Sequence, residues 1–62
     1  MSQLTPRERD VMACVAEGLS NNQIAEALVI EVSTVRKHLE HVYDKLGVRS
    51  RTAALAELRP QI

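Results

Sequence analysis

The sequence predicts an all-α domain of four helices, and three features predict it. Two segments place a hydroxyl residue three positions before Glu or Gln, the mark of a capping box: Thr5-Pro6-Arg7-Glu8 and Ser20-Asn21-Asn22-Gln23. Gly18 and Gly47 fall where helical periodicity stops, the place for a left-handed C-terminal residue. Between them lies Val32–Leu46, whose apolar residues Val32, Val35, Leu39, Val42, Tyr43 and Leu46 occupy about a third of the helical circumference. Nothing reads as a strand, a repeat or a low-complexity linker.

Taken in order, Met1–Leu4 is a short lead. The first helix starts with Thr5 as cap, Pro6 in the first turn and Glu8 reaching back to the Thr5 N–H, and it runs to about Glu17. Val11, Met12 and Val15 line its buried side, with Cys14 or Ala16. The second helix, about Asn21–Leu28, is capped by Ser20 and buries Ile24, Ala25 and Leu28. Ala25 is small enough for the next helix to approach closely. Val29-Ile30-Glu31 is a tight connection with Ile30 turned to the core. The third helix is the striped segment Val32–Leu46. Val48 packs back onto the core, Ser50 caps a last helix over about Arg51–Leu58, and Pro60 ends it. On that helix Ala54, Leu55 and Leu58 form the inward face, and Thr52, Ala53 and Ala56 the outward one.

Length and composition narrow the function. Sixty-two residues make one domain, 1–62 with its core at 4–58, and a chain of this size buries only about 60% of its unfolded surface. There is no apolar run long enough for a membrane span and no secretory leader, so the cytoplasm is expected. Cys14 is the one cysteine, so no intrachain disulfide can form. The formal net charge is zero, but it is unevenly spread. Residues 1–35 hold two basic residues against five acidic; residues 36–51 hold five basic against two acidic. One basic face is therefore expected within a neutral total.

That basic half falls on the third helix and the connection after it. A short helix, a tight turn and a longer amphipathic helix with a basic leading half make a helix-turn-helix. Opposite the apolar stripe stand Ser33, Thr34, Lys37, Glu40, His41 and Asp44, with Arg36 at the edge. Residues in the first turns of a helix entering a major groove reach base edges, which suits Arg36 and Lys37. Ser33 and Thr34 can bond phosphate at the helix N-terminus.

The residues also resemble a known family. Leu4-Thr5-Pro6-Arg7-Glu8-Arg9, Ala16-Glu17-Gly18-Leu19-Ser20-Asn21, Gln23-Ile24-Ala25, Leu28, Thr34-Val35, His38, Lys45-Leu46-Gly47-Val48 and Ser50-Arg51 together resemble the LuxR-type (NarL/FixJ, GerE-like) DNA-binding domain. The resemblance runs from Leu4 to Leu58. It implies a bacterial transcription regulator whose third helix reads the major groove of double-stranded DNA and whose fourth mediates dimerisation. By position in the motif, Arg36, Lys37 and Glu40 face base edges and Thr34 meets a phosphate. Asn21, Asn22, Lys45, Arg49 and Arg51 are further backbone contacts, and His41 is another phosphate candidate. Thr52, Ala53 and Ala56 form the dimer patch, mostly monomeric when free and paired on DNA. RNA polymerase is a candidate partner. Such domains commonly serve as the output of a response regulator or ligand-sensing regulator.

Two departures from the family pattern stand out. Glu31 occupies the cap of the third helix, where Ser or Thr is usual; either Ser33 caps a later start or Glu31 acts through the helix dipole. Asn22 stands where relatives often have Lys. With Glu40, these changes point to modest affinity or a need for a dimer.

Other residues carry ordinary readings. Cys14 and Met12 are core, and Tyr43 is core before it is a stacking platform. His38 is a packing residue bonded to a backbone carbonyl. Arg51 either ties the fourth helix to the third or contacts phosphate. His38, His41 and Cys14 do not complete a metal site, no cofactor is implied, and no catalytic constellation or sizeable pocket exists, so an enzyme is not expected. The rival to DNA binding is a protein-interaction module that pairs with another regulator and blocks it, the zero net charge being its clue.

Overall fold

The computed structural model describes residues 4–58. They form α1 (Pro6–Ala16), α2 (Asn21–Leu28), α3 (Val32–Leu46) and α4 (Arg51–Leu58), with no strand among the described residues. The lead at residues 1–3 and Pro60, expected to end α4, lie outside them.

Three of the four helices, α1, α2 and α4, begin on the side-chain cap expected of them. The Thr5 hydroxyl accepts from the Glu8 N–H at 3.1 Å while the Glu8 carboxylate accepts from the Thr5 N–H at 3.0 Å. Ser20 and Gln23 repeat the arrangement for α2 at 3.2 and 2.8 Å. Ser50 caps α4 by accepting from the Ala53 N–H at 3.1 Å. After α1, Gly18 takes a left-handed conformation (φ +86°), and the Gly18 and Leu19 N–H groups close onto the carbonyls of Val15 and Cys14. This double closure satisfies two carbonyls that the helix end leaves without partners.

The α2–α3 connection closes in the same way but without a glycine. Ile30 N–H donates to the Ala25 carbonyl at 2.9 Å, and Val29 takes the left-handed position, φ 57° and ψ 50°. A β-branched residue there is strained, because its Cβ substituents crowd the backbone at a cost of about 1–2 kcal/mol. Its side chain is 89% exposed, so little packing offsets the strain. Val29→Asn, which tolerates this conformation, should therefore raise stability by about 1 kcal/mol and the melting temperature by roughly 4–8 °C. A thermal melt that does not rise would show the turn to be relaxed.

At the start of α3, Glu31 is the N-cap and its side chain makes no capping hydrogen bond. The helix begins at Val32, so Ser33 lies inside it and does not cap a later start. Only the dipole option for Glu31 survives.

α3 packs against each of the other three helices, whereas α2 and α4 do not pack on one another. The apolar stripe of α3 explains this. Val35 and Val42 are fully buried and Leu39 nearly so, and they meet Val11, Met12 and Val15 of α1, Ile24 and Ala25 of α2 and Ala54 of α4 in one core. Leu4 belongs to it as well, so part of the lead is structural. Tyr43, Cys14, Leu28, Ile30 and Leu58 pack partly buried around it. Leu55 departs from expectation: it is half-buried and stands outside this cluster. Ala54 and Leu58, four positions apart, supply the contacts of α4 with this core, and Leu55 stands one helical step to the side of that line.

Candidate nucleic-acid interface

The exposed side of α3 carries Ser33, Arg36, Lys37, Glu40, His41 and Asp44, with Thr34 half-buried. Arg36 and Glu40 are one turn apart and line a shallow cleft of about 250 Å³ together with Asn21, Leu39, Tyr43 and Arg51. Among the described residues neither Arg36, Lys37 nor Glu40 is engaged in an ion pair. Their charges are available to an external partner. Arg49 and Asn22 are exposed too, on the α3–α4 connection and the first turn of α2.

Three other candidates for DNA backbone contact, Lys45, Arg51 and Asn21, already have hydrogen-bond partners within the domain, and His41, more than half exposed, stands near a carboxylate. Lys45 Nζ lies 2.7 Å from Glu8 Oε1, and His41 Nδ1 lies 3.8 Å from Glu8 Oε2. Glu8 is only 3% exposed. Burial pushes its carboxyl pKa upward, but the Lys45 hydrogen bond, the Thr5 N–H and the charges of Lys45 and His41 outweigh that and hold it below the ordinary glutamate value. One carboxylate thus caps α1 and ties it to the second half of α3. Arg51, at the first position of α4, donates to the Leu19 carbonyl at 3.3 Å and to Asn21 Oδ1. Its structural tie therefore runs to the entry of α2, and not to α3 as expected.

The expected carbonyl bond of His38 is not found among the described residues, and the ring is half-buried. Tyr43 is legible in the sequence as core, but its place on the cleft wall beside Arg36 is a finding of the structure. The signal for it lies in the helical wheel, where Tyr43 stands at the rim of the apolar stripe next to Arg36. On α4, Thr52 and Ala56 are exposed and Ala53 is half-buried. Leu55 is half-buried like Ala53, and Thr52 and Ala56, one turn apart, are the exposed members of the expected patch Thr52, Ala53 and Ala56.

Residues 2–58 match the family described as bacterial regulatory proteins, luxR family. The chain belongs to that family. It is one of DNA-binding transcription regulators, not of enzymes, and the four-helix architecture is that of its helix-turn-helix domain. The chain is 54% identical over 54 residues to an HTH-type transcriptional regulator of Mycobacterium bovis, covering 87% of this chain and 6% of that one. It is 46% identical over 54 residues to the nitrate/nitrite response regulator protein NarL of Escherichia coli, covering 87% of this chain and 25% of NarL. The crystal structure of the response regulator ChrA, of a heme-sensing two-component system, superposes with a TM-score of 0.86 at 44% identity, covering 92% of this chain and 28% of ChrA. The luxR-family chain thus spans a quarter or less of the length of these curated relatives. No helix among the described residues is long and apolar enough to cross a membrane.

Proposed function

We propose that this domain binds specific double-stranded DNA sites by laying α3 in the major groove, and that it works as a homodimer joined through α4. The observation that carries the proposal is the unpaired, exposed group of Arg36, Lys37 and Glu40 on the outward side of α3. Arg and Lys donate to guanine O6 and N7, and a carboxylate accepts from cytosine N4, so this trio can read base edges. Ser33, Thr34, Asn22 and Arg49 surround it and fix the register on phosphates. By likeness to NarL and ChrA, both response regulators, the domain is the output unit of such a regulator, acting on transcription alongside RNA polymerase.

The test is a selected high-affinity duplex compared with random duplex. Arg36→Ala or Lys37→Ala should each cost about 1–3 kcal/mol on the selected site and less on random DNA. Equal losses on both sequences would reduce the residue to a phosphate contact. No salt-dependent binding to any duplex, with a heterodimer formed instead, would favour the interaction-module reading.

A further inference from the structure

α2 and α4 do not pack on one another, yet one side chain bridges them. Arg51, half-buried at the first position of α4, gives one guanidinium nitrogen to the Leu19 carbonyl and the other to Asn21 Oδ1. A guanidinium presents its N–H groups in a rigid planar fork, so both bonds hold together and a lysine could not reproduce them. The Leu19 carbonyl lies between α1 and α2, and Asn21 is the first residue of α2. The fork therefore ties the start of α4 to the start of α2, two helices whose backbones do not come close to one another.

We infer that Arg51 is a positioning residue: it holds the Asn21 amide so that this amide, and not the guanidinium, donates to a DNA phosphate. The inference rests on the DNA-docking reading above. A primary amide has an oxygen that accepts and a nitrogen that donates. Here the oxygen is taken by Arg51, and the amide nitrogen makes no hydrogen bond among the described residues. With that oxygen engaged, what the amide has to offer is chiefly its two N–H donors, the chemistry a phosphate oxygen requires. Asn21 lines the cleft that also holds Arg36 and Glu40, so a contact there lies beside the base-reading residues. Arg51 lines the same cleft, but two of its five N–H groups are committed to the Leu19 carbonyl and Asn21 Oδ1, and swinging the whole side chain out to a phosphate would release the α2–α4 bridge.

Fluorescence anisotropy on random-sequence duplex over a range of salt concentrations separates the two roles. A side chain that neutralises a phosphate contributes about 0.9 to the slope of log affinity against log salt, whereas a neutral amide donor contributes none. Arg51→Gln is expected to lower affinity about tenfold with the wild-type slope, Asn21→Ala to lower it similarly, and the double variant to lose no more than either. A slope reduced by about 0.9 in Arg51→Gln, or additive losses in the double variant, would make Arg51 a direct phosphate ligand and overturn the inference. If thermal melts show Arg51→Gln to be unfolded, Asn21→Ala decides: it keeps the Leu19 bond, and unchanged affinity in that variant overturns the inference. Wild-type protein that fails to bind duplex at low salt overturns the docking reading first and this inference with it.

Discussion

Glu8→Ala should unfold the domain at temperatures where the wild type is intact. The substitution removes the carboxylate that caps α1 and deprives Lys45 and His41 of their counter-charge on that helix. Removing one partner of a buried pair costs about 3–5 kcal/mol; here Lys45 can turn to water, so about 2–3 kcal/mol is expected. A domain of this size has a total stability of only about 3–9 kcal/mol, so the loss is a large fraction of it. At roughly 4–8 °C per kcal/mol, the melting temperature should fall by about 8–24 °C. Glu8→Gln should fall between, because an amide can still serve the capping box, as Gln23 does for Ser20. The difference between the two variants then measures the cap, and the difference between Gln and wild type measures the tie to α3. Melts that place Glu8→Gln level with the wild type would show the tie to be worth nothing.

The same carboxylate gives the fold an acid limb. Its pKa is lower in the folded chain than in the unfolded one, so the unfolded chain binds the proton first. The stability it contributes is complete above the unfolded value and is lost as pH falls through the folded one. Urea denaturation between neutral and acid pH should show stability declining below the ordinary glutamate range, and Glu8→Gln should flatten that decline. An unchanged acid limb in the variant would assign it to other carboxylates.

The sequence was legible where structure is local. The two capping boxes, the Gly18 closure and the α3 stripe depend on residues within a helical turn or two of one another, so spacing alone specifies them. What spacing could not disclose is chemistry between distant segments. Glu8 and Lys45 are 37 positions apart, Arg51 and Asn21 30. Lys45, His41 and Arg51 read as phosphate contacts because cations on a basic face look alike until their partners are known. Val29 misled differently: a tight connection was evident, but nothing in a valine announces a left-handed backbone. Leu55 followed the apolar pattern of α4 and still failed to reach the core, because the contact there is made through Ala54 at zero exposure.

On a duplex carrying two inverted half-sites, Ala56→Arg should bind about a hundredfold more weakly than the wild type, while its binding to one half-site stays unchanged. The small size of the module is the first reason. A single domain of this kind covers roughly 600–1,000 Å² of its own surface on DNA, and here Lys45 and Arg51 already have partners within the domain while Glu31 and Glu40 would stand beside the groove in the proposed docking. Affinity from one copy is therefore modest, and a second copy on the same duplex adds effective concentration without new base contacts. A two-fold interface needs a patch that complements itself. Thr52, Ala53 and Ala56 on α4 are the candidates for one: small side chains there would let two helices cross closely. The patch is small, so the free protein should be mainly monomeric and DNA should assemble the pair, on half-sites about one helical turn apart. Ala56 is exposed and arginine is nearly as good a helix former as alanine, so the variant should keep its fold and its melting temperature. An arginine at a two-fold crossing meets its own copy, placing like charges and two long side chains where small ones are needed. Titrations on whole and half sites, with sedimentation of the free protein, decide the matter: cooperativity left intact in Ala56→Arg would remove α4 from the dimer contact and send the search to another face.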